Sequence, residues 1–336
     1  MKKYTRYILF LVGFSILAWM VWRADPVVLW HHLLALGWVY LALVAVVGVV
    51  YILNAVSWAT IIGAWPMQKK LGPATILQCT ISGYAINCVT PFGLLGGEPY
   101  RILRLKPYIG IEAATSSVTL YAMMHMCSHF IFWLLACVVA LFIIPDISPA
   151  LAWTLIFIVV SSLVLVYLFS LGYRRGLMQF ASSNMSHWPF IGKRVAAWRA
   201  SHLDRLKHVD EGIASLLHDH PGRFWSSLLI EFFSRIVGCL EYWLILWQLG
   251  FGDTATFAAA YVIVAFSSLF ANLLFFSPMQ MGTREGGILL SLQALSIYGA
   301  GLPVAISISF ATRLREFLWI GIGLILTLFG GKVEKK

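Results

Sequence analysis

The chain has 336 residues, 60% of them hydrophobic and only 11% charged, with a mean hydropathy of +0.84 and a formal net charge of +10. A soluble domain carries charge on about a quarter of its residues, so this composition argues against a water-soluble globular protein, and its long unbroken apolar runs argue against a transmembrane barrel. The basic excess sits at the ends of apolar segments, as Lys and Arg do around membrane spans, which argues against nucleic acid as a partner.

In chain order, Tyr7–Trp22 reads as a first span behind Lys2, Lys3 and Arg6. The stretch LAWMVWRADP has no small-x-small cleavage site, so an uncleaved span is predicted. Trp38–Gly63 is a second span. Ala74–Val89 falls short of the roughly 20 residues that cross a bilayer, and it runs into the sequence NCVTPFGLLGGEPYR, Asn87–Arg101. Ser117–Ile144 and Pro149–Gly172 are long enough to cross. Residues 173–223 form a basic connector in which Leu206, Val209, Ile213 and Leu216 share one helical face, the pattern of an amphipathic helix lying on the membrane or against the bundle. Phe224–Gly250 and Thr254–Phe276 follow, then a break at Ser277-Pro278. Gly286–Tyr298 is short, and Pro303–Phe329 ends the apolar part of the chain.

The charges orient these segments. Lys69, Lys70, the group Arg101, Arg104 and Lys106, the connector, and Lys332, Lys335 and Lys336 all mark inner loops, and Asp146 and Asp253 mark outer turns. Both termini are then cytoplasmic. Residues 73–105 enter and leave on the inner side and 254–302 on the outer side, although two full crossings in either region give the same parity.

The two breaks match. Pro91 and Pro278 each stand six residues before a glutamate, Glu98 and Glu285. Thr90 or Ser277 precedes the proline, and an asparagine, Asn87 or Asn272, lies upstream. Glycine falls late in the spacer (Gly96 and Gly97; Gly282), and an arginine, Arg101 or Arg284, stands close to the glutamate. Proline removes a backbone donor and glycine allows reversal. Backbone groups opened in this way at membrane depth are tolerated only inside protein or beside a wet cavity. The expected fold is therefore all-α. It is a single integral membrane domain, residues 1–336, of about six full spans plus two re-entrant hairpins. These form an inverted repeat of about residues 36–144 and 224–330, the arrangement that places a translocation site near the midplane.

Helix N-termini and arginines attract phosphate, and the two glutamates can pair with the arginines or hold a cation or proton. Further charges lie within spans. Glu231 and Arg235 are spaced to pair at i,i+4, with Glu241 close to the same face. Arg313 and Glu316 are spaced to pair at i,i+3, which leaves Arg315 in need of a partner. His125 and His129 share a helix face, where hydrogen bonding between helices outweighs a metal site. The five cysteines show no CxxC spacing and read as small buried hydrophobes. There is no Walker A, dinucleotide or GxSxG motif, so no cofactor or ATP-driven pumping is implied.

The motif Asn87…Pro91…Gly97-Glu98…Arg101, the motif Ser277-Pro278…Gly282-Thr283-Arg284-Glu285, and Arg313 together resemble the lysylphosphatidylglycerol synthase transmembrane-region family of flippase-like proteins, over about residues 5–330. The resemblance implies a multi-pass protein of the bacterial inner membrane that moves or handles lipids: anionic or aminoacylated phospholipid, and hopanoid- or glycolipid-linked substrates in other members. Met279-Gln280-Met281 is bulkier than the family's glycine-rich second motif. The family's soluble synthase domain has no counterpart here, which leaves room for a separate lipid-modifying enzyme and for a homo-oligomer. The expected function is a lipid translocase with a central polar cavity lined by Asn87, Pro91, Gly96, Gly97, Glu98, Arg101, Glu231, Arg235, Asn272, Pro278, Gly282, Arg284, Glu285 and Arg313. The alternatives are a membrane-embedded lipid transferase, with a glutamate as base, and a small-ion or solute transporter.

Overall fold

A computed structural model describes residues 36–90, 96–144, 149–186, 203–252, 256–273, 283–297 and 301–329, with isolated positions at 11, 15, 22, 27, 30, 34, 147, 192, 196, 200 and 201. Most of the first predicted span, the tips of both breaks with Pro91, Pro278 and Gly282, the turn aspartates 146 and 253, and the terminal lysines lie outside the described residues. All the described secondary structure is helical.

The helices are α1 Val39–Ile62, α2 Pro73–Val89, α3 Gly97–Ile109, α4 Ile111–Ile143, α5 Pro149–Arg175, α6 Leu177–Met185, α7 Leu203–Asp219, α8 Pro221–Leu246, α9 Phe257–Leu273, α10 Thr283–Ala294 and α11 Leu302–Phe329. Proline begins α2 and α8 at the position where its missing N–H costs nothing. Gly110, at φ +83°, ends α3 in a conformation that L side chains avoid, and α4 starts on the next residue. A π-helical turn, Trp247–Phe251, closes α8.

The sequence places Arg101, Arg104 and Lys106 in an inner loop. The structure instead puts all three on α3, with Arg101 buried. The short, charge-rich repeat GEPYRILRLK hides its helical period behind Pro99 and the two glycines before it.

Among the described residues, α1 and α4 are long and apolar enough to cross a membrane. Helices α8 and α11 have 26 and 28 residues, about 40 Å each. Each carries three ionisable side chains in its apolar stretch: Glu231, Arg235 and Glu241 on α8, and Arg313, Arg315 and Glu316 on α11. Helix α5 turns Trp153, Phe157, Val160, Val164 and Tyr167 outward, an apolar face too large to leave in water.

Contacts fix the helix directions. Ser57 Oγ meets Ser227 Oγ at 2.8 Å, and Val39 and Leu43 pack in one core with Ile245 and Leu246, so α1 and α8 run antiparallel. Helix α2 runs antiparallel to α11: Gln78 Nε2 donates to Leu326 O at 2.6 Å and Ser82 Oγ to Gly323 O at 3.0 Å. Helices α4 and α8 run parallel, His125 meeting Glu231 and Ser128 meeting Arg235. So do α1 and α11, with Tyr40 bonded to Leu314 O and Gly48 against Trp319. Helix α9 docks on α4 through Tyr261 Oη to Phe132 O, 2.7 Å, and Trp133 Nε1 to Ser268 Oγ, 3.0 Å. Connector helix α7 buries Leu206, Val209, Ile213 and Leu216 against the bundle.

Each hairpin closes through glycine. A Cβ on Gly97 would sit 2.2 Å from Gly83 O, and one on Gly287 would sit 2.8 Å from Ser267 Cα. Backbone cannot yield as a side chain tip can. Gly97→Val is therefore expected to cost more than the roughly 1–3 kcal/mol typical of overpacking and to leave little monodisperse protein on size exclusion. Gly72→Val, with nothing within 4 Å, is expected to elute like the parent chain.

Candidate functional site

Hairpin one, α2 and α3, is latched where α2 ends and α3 begins. The Gly97 N–H donates to Asn87 Oδ1 at 2.7 Å, and Asn87 Nδ2 donates to Glu98 Oε1 at 3.2 Å. Asn87 thus satisfies an orphan donor at the α3 N-terminus and orients the carboxylate beside it. Glu98 also pairs with Arg101 at 3.5 Å, one turn on. The guanidinium reaches back to Thr80 O at 3.3 Å and lies 5.7 and 5.3 Å from the ring centres of Trp58 and Tyr121. Two aromatic faces and one carboxylate hold this buried cation. Gly83 makes the space, since a Cβ there would fall 2.4 Å from Arg101 Nε.

Hairpin two, α9 and α10, meets α11. Glu285, in the first turn of α10, accepts from Ser309 Oγ at 2.5 Å and from Arg313 Nη2 at 3.0 Å. Arg284 pairs with Glu316 at 3.4 Å. Glu316 accepts a second bond, at 2.8 Å, from Tyr84 Oη of hairpin one. Ser309, Arg313 and Glu316 follow i, i+4, i+7 spacing and present one face of α11. Both hairpins therefore converge on that face. Arg315 points the other way and forms a bidentate pair with Glu241 of α8, both bonds at 2.8 Å.

The pairings predicted along single helices do not form. Arg313 reaches Glu285, not Glu316, and Glu316 takes Arg284 instead. Arg235 does not close on Glu231: its Nε, Nη1 and Nη2 bond to Ser128 Oγ, His129 Nε2 and His125 O, all on α4. Glu231 pairs with His125 at 3.0 Å, and Glu241 faces α11 rather than sharing Glu231's partner. An intrahelical pair leaves each charge's outer side in a low dielectric, whereas a partner on the facing helix fills the interface as well as the charge.

The structure thus brings Asn87, Gly97, Glu98 and Arg101 into one group and Arg284, Glu285 and Arg313 into another, and hairpin one reaches the second group through the bond from Tyr84 to Glu316. Gly96 packs on Ile86 and Thr90. Glu231 and Arg235 belong to the α4–α8 interface. Asn272 is exposed and bonds to Ser268 O of its own helix, so it does not repeat the latch made by Asn87. Tyr84, Glu241, Arg315 and Glu316 complete the charge groups, and sequence reading gave them no place in the site. Unpaired parity was the available signal: Arg315 and Glu241 were each a lone intramembrane charge. Among the described residues no three His, Cys, Asp or Glu side chains gather as a metal site would need.

Exposure separates the pairs. Arg315 and Glu241 are dry, 12% and 6% exposed. The carboxylates Glu98, Glu285 and Glu316 are 27%, 22% and 21% exposed. A dry bidentate pair braces helices, while a pair whose carboxylate is about a fifth exposed can exchange that carboxylate for another oxyanion. A family model described as the lysylphosphatidylglycerol synthase TM region matches residues 8–324. No curated protein and no solved structure matches the chain.

Proposed function

The chain belongs to the lysylphosphatidylglycerol synthase TM-region family, and from that premise we propose that it is a lipid translocase whose two broken hairpins pass a phospholipid headgroup across the membrane. Membership and the helical architecture support a membrane protein with a lipid-related role. Translocation, the headgroup path and the inverted repeat are our reading.

Helix packing supports the repeat. Exchanging α1 with α8, α2 with α9, α3 with α10 and α4 with α11 maps the observed packing pairs onto one another. The α2–α11 pair becomes α9–α4, the parallel α4–α8 pair becomes α11–α1, and the α1–α8 pair, antiparallel, maps onto itself. A two-fold axis in the membrane plane has this consequence. The helix directions are compatible with the orientation read from the basic loops; our reading puts both termini in the cytoplasm of a bacterial cell, with six full spans and two re-entrant hairpins.

One observation carries the function: Glu316 accepts from Tyr84 of hairpin one and pairs with Arg284 of hairpin two, so both hairpins end on one half-open group of charges inside an apolar bundle. Arg284 and Arg313 hold the lipid phosphate in place of Glu316 and Glu285, with Arg101 as a third cation on the side of hairpin one. The released carboxylates, with Glu98, then face a cationic headgroup where one is present. Acyl chains stay in lipid while the headgroup crosses.

The test is headgroup accessibility. Full-length chain is reconstituted in vesicles of phosphatidylethanolamine and phosphatidylglycerol carrying a trace of headgroup-labelled phosphatidylglycerol, and a membrane-impermeant quencher is added. The expected result is quenching of the inner-leaflet label, with Glu98→Gln slowing it several-fold. Quenching no faster than in protein-free vesicles overturns the reading. A chemically altered labelled lipid would identify a transferase instead.

A further inference from the structure

Between α4 and α8 lies a group that the headgroup path does not use. Glu231 is fully buried, its Oε2 3.0 Å from His125 Nδ1. Its Oε1 is buried without a hydrogen-bond partner among the described residues. A carboxylate in such a place needs its charge neutralised. Arg235, one turn on, gives all three of its bonds to α4. A guanidinium only donates, so His129 Nε2 must accept from Arg235 Nη1. That fixes the His129 proton on Nδ1 and leaves the ring neutral. His125 is then the group that can bring a proton to Glu231.

The pair has one exposed edge and one buried edge, for the His125 side chain is 42% exposed and Glu231 0%. The groups facing it are Tyr121 and His129 of α4, Glu231 and Arg235 of α8, and Arg101 of α3, with Trp58 of α1 against Tyr121 at 5.7 Å. Tyr121 touches both functions: its ring lies 6.3 Å from the His125 ring and 5.3 Å from the Arg101 guanidinium.

We propose that His125 and Glu231 form a proton-binding site that couples lipid movement to a proton gradient. A proton from water binds His125 Nε2 at the exposed edge, while Nδ1–H keeps its bond to Glu231 Oε2. The pair passes from a net charge of −1 to 0, and loss of the same proton from Nε2 restores it. Beside Arg101, the deprotonated pair repels a lipid phosphate and the protonated pair does not. Proton and anionic headgroup therefore bind together and cross in the same direction. This coupling rests on the headgroup reading above; the proton site itself does not.

Two measurements separate these claims. The first is nuclear magnetic resonance of full-length chain with nitrogen-labelled histidine in lipid nanodiscs, titrated over about pH 5–8, where histidine changes charge, with His125→Gln assigning the signal. The expected result is a titrating His125 whose proton binds about tenfold more weakly in Glu231→Gln. A His125 that does not titrate, or that titrates alike in both chains, overturns the site. The second is the quenching assay on the wild-type chain with an imposed pH gradient. The expected result is a steady excess of labelled lipid in the alkaline-side leaflet, abolished by a protonophore. Lipid exchange indifferent to the gradient overturns the coupling, and this arm decides alone if Glu231→Gln does not assemble. No lipid exchange, with the tenfold effect at His125 intact, leaves the proton site standing and removes the translocase.

Discussion

Arg313→Ala is expected to slow headgroup exchange in proteoliposomes by about 10- to 150-fold. The figure follows from a charged hydrogen bond worth about 1.5–3 kcal/mol in transit. Arg313 is buried, and its Nη2 lies 3.0 Å from a Glu285 carboxylate that also accepts from Ser309. In our account the phosphate takes the place of that carboxylate, so truncation removes a contact that the moving lipid needs. Arg313→Lys keeps the charge and loses the planar fork, and an intermediate rate is expected. Equal rates in Arg313→Ala and wild type would place the headgroup path elsewhere. Circular dichroism and size exclusion on the same preparations check that the variants are folded.

Arg315→Met should do a different kind of damage. Its bidentate pair with Glu241 is buried, at 12% and 6% exposed, and removing one member strands a buried carboxylate at a cost of about 3–5 kcal/mol. The measurement is thermal unfolding in detergent followed by the fluorescence of the 14 tryptophans. A large drop in midpoint is expected for Arg315→Met. The double substitution Arg315→Met, Glu241→Leu should recover most of it, because no unpaired charge is left behind. If the double variant is as unstable as the single one, the pair is doing more than bracing α8 against α11. The contrast with Arg313 is the point: one arginine is spent on architecture, and the other is held by a partner that can be replaced.

Much of this was legible in the sequence. The length of apolar runs placed α1, α2, α5, α8, α9 and α11 within a few residues, because burial in an apolar medium selects for continuous hydrophobicity; α4 starts at Ile111, ahead of the predicted Ser117. Pro and Gly located the first break, between α2 and α3; the second, at Ser277-Pro278, lies outside the described residues. The amphipathic face of α7 was readable from four residues at helical spacing, Leu206, Val209, Ile213 and Leu216. What stayed hidden was the pairing of charges. Spacing along one helix suggested Glu231 with Arg235 and Arg313 with Glu316. Yet at membrane depth each of these side chains finds its partner across an interface, and helix rotation, which the sequence does not encode locally, decides which one. Helix α3 was missed for a related reason. Its charges looked like loop markers, but Arg101 is held inside by Glu98, Trp58 and Tyr121. Asn272 shows the limit of matching motifs: the residue repeats Asn87 in sequence while its side chain bonds within its own helix.

The most direct test is a structure of the full-length chain in nanodiscs containing phosphatidylglycerol. The account predicts density for a lipid phosphate within hydrogen-bond reach, about 2.7–2.9 Å, of the Arg284 or Arg313 guanidinium. Glu316 or Glu285 should be displaced from its pair, while Arg315 and Glu241 stay joined. Lipid confined to the outer surface of the bundle, with both pairs unbroken and no route between the hairpins wide enough for a headgroup, would contradict it.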